Sequence, residues 1–77
     1  MQSGYALCTP DNSKVLCVFK NPSRVELIET SNVSNLNRAL CLPDLTSIKS
    51  VYDRFKEKNL VEDLDIVNIA KLYKNRW

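Results

Sequence analysis

Residues 7–17 read LCTPDNSKVLC, so Cys8 and Cys17 flank a turn-forming stretch, and a third cysteine stands at Cys41. Thiols at such spacing could ligate a metal, form a disulfide, attack an electrophile or simply pack. Zinc asks for four tetrahedral ligands, usually in CxxC or histidine-containing patterns. This chain has three cysteines, no CxxC and no histidine. A nucleophilic cysteine needs a base or cation to lower its pKa, and the usual partner, histidine, is missing. The disulfide turns on the hairpin register. A three-residue loop, Pro10–Asn12, sets Thr9 against Ser13, Leu7 against Val15 and Tyr5 against Cys17. Cys8 then faces Lys14, on the other side of the sheet from Cys17, too far for Cβ atoms that must approach to about 4 Å. A longer loop would set Cys8 directly against Cys17 but would waste the turn chemistry of Pro10. The cysteines are therefore predicted to be reduced, metal-free core residues acting as small hydrophobes.

The other reactive groups converge no better. Asp63 and Asp65 lie two apart on a predicted helix and diverge, and Glu26 and Glu29 fall on opposite faces of a predicted strand. The single glycine, Gly4, excludes a glycine-rich phosphate cradle. A chain of 77 residues also has difficulty enclosing a substrate pocket of about 300 Å³ while keeping a core. The expectation is a non-enzymatic protein without a cofactor.

These side chains must be positioned by a small set of elements. Residues 4–9, 14–20 and 24–30 alternate or run apolar as strands do. VLCVF (15–19) is the strongest, and Val18 within it is expected to be covered on both faces. Pro10 and Asn12 suit the first turn, the latter in the left-handed conformation, and Pro22 suits the second. From residue 31 the period becomes helical: Val33, Leu36 and Leu40 share a face, with Ser31, Asn32 or Ser34 as cap. Leu42-Pro43 breaks that helix, and Pro43 fits the first turn of the next. Leu45, Ile48, Val51, Tyr52 and Phe55 form its apolar stripe, and Asn59 suits a left-handed stop. In VEDLDIVNIAKLYKNRW, acidic residues lead and basic residues trail, as a helix dipole favours, so helix is preferred over a strand in LDIVNI. The predicted fold is α+β: a three-stranded antiparallel β-meander followed by two or three α-helices, βββααα, forming one compact domain over residues 1–77 with the helices on one face. The uncovered face would then be a homodimer seam or a partner site, unless the last helix wraps round it or the register slips by one.

Composition narrows the function. The chain is 44% apolar with a net charge of +2, less basic than dedicated nucleic-acid domains, and its charges alternate in sign. It shows neither an 18-residue apolar run nor the features of a signal peptide near residue 1, so a cytoplasmic location is expected. The expected role is binding to a protein partner, as an inhibitor or regulator of a larger host protein or nucleoprotein complex. Small anti-defence proteins of phages, such as anti-CRISPR proteins, offer an analogy of size and composition. Tyr5, on a predicted edge strand, and Tyr73, Arg76 and Trp77 near the carboxy terminus are the expected anchors, because aromatic and arginine side chains dominate interface energetics. The alternative is a small nucleic-acid-binding regulator in which Lys and Arg side chains act with Tyr73 and Trp77 as stacking groups.

Overall fold

A computed structural model describes residues 2–20 and 23–74. Among them the chain is α+β, with strands β1 (Tyr5–Cys8), β2 (Lys14–Lys20), β3 (Ser23–Glu29) and β4 (Asp65–Asn68) and helices α1 (Val33–Arg38), α2 (Leu45–Glu57) and α3 (Ile69–Lys74). The sheet is antiparallel throughout, in the order β3-β2-β1-β4. β1 is therefore interior, not the edge strand expected from a meander.

The fourth strand corrects the all-helical reading of residues 61–77. Tyr5, Ala6, Leu7 and Cys8 pair with Asn68, Val67, Ile66 and Asp65, and Ile69 N donates to Gly4 O at 2.9 Å. Left without β4, the main-chain groups along this side of a buried strand would be unsatisfied, which is more costly than the dipole preference that favoured a helix. β-branched Ile66 and Val67 suit the pleat, and a short helix has little stability apart from its packing. The helix starts only at Ile69.

The first hairpin slips by one residue relative to expectation. Cys8 pairs with Val15, and Thr9 N donates to Lys14 O at 2.9 Å. Pro10 keeps its place in a turn closed by Asn12 N to Thr9 O at 2.8 Å, and Asn12 is left-handed at φ +62°. Ser13 stays in the loop because Asp11 Oδ1 accepts from both its amide (3.0 Å) and its hydroxyl (2.7 Å). A one-residue slip turns a strand over. Hence Ala6 and Cys8 share a face with Val15 and Cys17, while Tyr5 and Leu7 share the other with Leu16, Val18, Val25 and Leu27.

Both faces are covered, but by different helices, which corrects the expectation that all helices share one. Leu36 and Ala39 at α1, and Ile69, Leu72 and Tyr73 of α3, pack on Ala6, Cys8 and Val15. Ile48 of α2 and Leu64 pack on Leu7 and Leu16 from the opposite side. Asn32 caps α1 by accepting from Ser34 N, and Asp44 caps α2 by accepting from Ser47 N, both at 2.8 Å. Pro43 thus precedes the cap instead of entering the first turn. Asn59, at φ +57°, ends α2 as its type suggests. The turn expected at Pro22 lies outside the described residues.

The link between the helices also completes the sheet. Leu40 N donates to Leu16 O at 3.0 Å, and Leu42 exchanges two main-chain bonds with Tyr5 at 2.8 and 3.0 Å. This segment passes so close that a Cβ on Gly4 would stand 2.4 Å from Leu42 O, and Gly4 has φ +104°. Only glycine meets both conditions. No described helix is long and apolar enough to cross a membrane.

Candidate functional site

The structure separates the anchors expected from sequence. Tyr5 is half-buried and packs with Leu7, Leu16 and Ile48. Tyr73 belongs to the cluster on the other face, with its ring buried. Its hydroxyl accepts from Gln2 N at 3.0 Å and donates to Asn37 Oδ1. Gln2 Nε2 in turn donates to Leu36 O and Ala39 O, both at 2.8 Å. Tyr73 therefore ties the first residues, α1 and α3 together, and offers neither a surface anchor nor a stacking platform. Arg76 and Trp77 lie outside the described residues. Tyr5, on β1, and Tyr73, on α3, lie on opposite faces of the sheet.

The thiols are placed for packing. Cys8 and Cys17 are buried, and burial pushes the Cys8 and Cys41 thiols up to about 11. Cys17 is also raised by burial, against the opposing pull of Arg38. Cys8 and Cys17 share a face, contrary to the expected register, yet both are free thiols. Cys8 Sγ donates to Asn12 Oδ1 at 3.2 Å and Cys17 Sγ to Arg38 O at 3.1 Å. Among the described residues, no group of three or more Cys, Asp or Glu is arranged to hold a metal.

What the surface does present is an apolar groove at the β2–β3 end of the sheet. α2 covers Leu16 but leaves the same face bare further along. Val18, expected to be fully covered, is 38% exposed, and Leu27 is 41% exposed. Two hollows of about 320 and 440 Å³ meet at Val25, Asn59 and Leu60. Leu16, Leu27 and Val61 line the first, with Val18 and Phe55 in the second.

The end of α2 builds the outer wall. Asn59 N donates to Lys56 O and Leu60 N to Phe55 O, both at 3.0 Å. This pair of bonds is the helix-ending motif in which the residue after the left-handed position returns onto the last turn. It holds Leu60 near Phe55 while leaving it 50% exposed. The following loop is tied back at two points. Lys56 pairs with Asp63, which raises the lysine and lowers the carboxyl, and Leu64 N donates to Tyr52 Oη at 2.8 Å. Glu62 lines one end of the groove, whereas the charged ends of Arg24 and Glu26 lie on the opposite face of the sheet, beside Phe19 and Cys17. Arg24 lies over the Phe19 ring at 4.5 Å and pairs with Glu26.

Beside the groove, β3 has a strand partner on only one side among the described residues. Thr30 N donates to Ser13 O, in register with the ladder, so the even-numbered residues of β3 turn their main chain towards β2. By the same alternation Ser23, Val25, Leu27 and Glu29 turn theirs outward. Asn35 Nδ2 donates to Glu29 O at 3.0 Å and closes that end. Among the described residues, nothing bonds the outward groups of Ser23, Val25 and Leu27. Sequence reasoning missed this site because the anchors were sought among aromatic and arginine types. The usable signals were the alternation of Val25 and Leu27 and the Asn59-Leu60 pair after a helix. No family model, no curated protein and no solved structure matches the chain.

Proposed function

We propose that this protein is a non-enzymatic module of the cytoplasm that binds another protein through the groove between β3 and the end of α2. Val18, Leu27 and Leu60 carry the reading. They are 38, 41 and 50% exposed around two adjoining hollows that share Leu60, in a chain short of material for its core. Exposed apolar groups gathered in this way mark interaction sites more than solvated surface. The occupant that fits is an apolar side chain of a partner, aliphatic or aromatic, with a basic neighbour facing Glu62. Inhibition or regulation of a larger complex is part of the same proposal, to be decided by the partner's identity. The raised thiol pKa values support a binding role over nucleophilic chemistry.

The test compares capture of proteins by wild type, Leu60→Asp, Val18→Asp and Lys49→Asp, each checked for its melting temperature. The expected result is a partner held by wild type and Lys49→Asp and lost at least about tenfold by both groove variants while folded. A partner held equally by all four chains, or salt-dependent binding of nucleic acid unaffected by the groove variants, would move the function elsewhere.

A further inference from the structure

We infer that β3 is a self-association edge: two copies of the chain pair antiparallel through it, with Val25 opposite Val25 of the second copy, and join their sheets. The strand is seven residues long, whereas the other edge strand, β4, has four and runs directly into α3. Short edges resist pairing and long ones invite it. Ser23, Val25 and Leu27 present outward main-chain groups over a continuous stretch.

Side chains and caps select the register. A two-fold axis normal to the sheet keeps like faces together, so odd-numbered residues must pair with odd ones. Four alignments centre on residues 24 to 27, and the one with Arg24 opposite Arg24 of the second copy sets like charges in contact. Glu26 opposite Glu26 of the second copy places like charges in contact, and it needs Glu29, whose carbonyl Asn35 already holds. Leu27 opposite Leu27 of the second copy also needs Glu29, and sets it against Val25. With Val25 at the centre, Ser23 meets Leu27 and Glu29 is not used. Arg24 then faces Glu26 of the second copy, and Glu26 faces its Arg24. These two side chains already pair within the chain, so the dimer extends one ion pair into a group of four alternating charges. About six main-chain hydrogen bonds close the seam.

Both grooves then lie on the same face of the joined sheet, on either side of the seam. Self-pairing is independent of groove binding: it uses the main chain of β3, whereas Leu60 and Phe55 lie away from the edge. Failure of either is therefore visible without the other, since Leu60→Asp should leave the dimer intact.

Sedimentation velocity from about 1 μM to 1 mM tests the proposal, with circular dichroism on each variant. Wild type should pass from monomer to dimer as concentration rises. Val25→Pro should stay folded and monomeric, because its amide points away from β2 and proline is tolerated only on such an edge. Arg24→Glu and Glu26→Arg, each alone, should weaken association about tenfold or more. Their equimolar mixture should recover it as a heterodimer, since the opposing charges then match across the seam. That recovery cannot come from the broken pair within either chain, and it keeps the test decisive even if Val25→Pro fails to fold. A wild type that is monomeric throughout, a dimer that survives in folded Val25→Pro, or a mixture no tighter than its components would overturn the proposal.

Discussion

Val15 and Val18 stand three residues apart on one strand, and their surroundings are unlike. Val15 is sealed between strands and under α1 and α3, and its neighbour Leu16 is sealed by α2 on the other face. At Val18 the helices have run out, and the groove face is open. The sheet is thus longer than the layers that cover it. Its β1-centred half carries the fold, and its β2–β3 end projects as surface. One apolar run serves both purposes because a strand's residue types report burial, while its neighbours decide who supplies it.

The sharpest way to break this division is to place the same charge in each half. Leu16→Asp should unfold the protein, since an unpaired buried carboxylate costs several kcal/mol in a domain holding about 5. Val18→Asp should lower stability by less than about 1 kcal/mol, because the carboxylate remains hydrated. Urea denaturation measures both, and similar losses would erase the distinction.

Gly4→Ala should rank next, at about 2–3 kcal/mol, because the new methyl meets Leu42 O and the backbone is left-handed. Its damage should be read at the β1–Leu42 joint, with the β3 end unaffected. Tyr73→Phe should cost about 1–2 kcal/mol by orphaning Gln2 N and Asn37 Oδ1, with no change in partner affinity. A loss of affinity in folded Tyr73→Phe would return the site to the carboxy-terminal helix.

The smallest effect belongs to the hairpin turn that joins the halves. Asp11 is held at about 2, below the ordinary 3.8, by Ser13's amide and hydroxyl and Thr9's hydroxyl. A carboxyl depressed in the folded state contributes stability above its unfolded pKa and loses it as pH falls through the folded one. Stability should therefore decline between about pH 4 and pH 2, and Asp11→Asn should flatten that part of the profile. An unchanged slope in the variant would assign the decline to other carboxyls.

The covered half was largely legible in the sequence. The strand positions, Asn12 and Asn59 in left-handed turns, and Asn32 as a cap all follow from local chemistry. The α+β class followed from the shift of apolar period. What escaped was decided by partners distant in the chain. β4 forms because β1 offers an edge more than fifty residues away. The hairpin slips because Asp11 keeps Ser13 in the loop, a competition between two good turns that residue types do not rank. Tyr73 had the composition of an interface residue, and burial beneath α1 made it a core tie. The groove was least legible of all, since it consists of ordinary aliphatic positions that happen to lie beyond the reach of a helix.

Residue-resolved amide exchange by NMR tests the division most directly, on chain dilute enough to sediment as a monomer. Ala6 and Val67 should be slow, since they exchange main-chain bonds between β1 and β4. Along β3, protection should alternate, with Glu26 and Ile28 slowed by β2 and Val25 and Leu27 exchanging freely into solvent. Slow exchange at Val25 and Leu27 in the dilute monomer would mean that the edge is already covered, and would contradict the account of the projecting end.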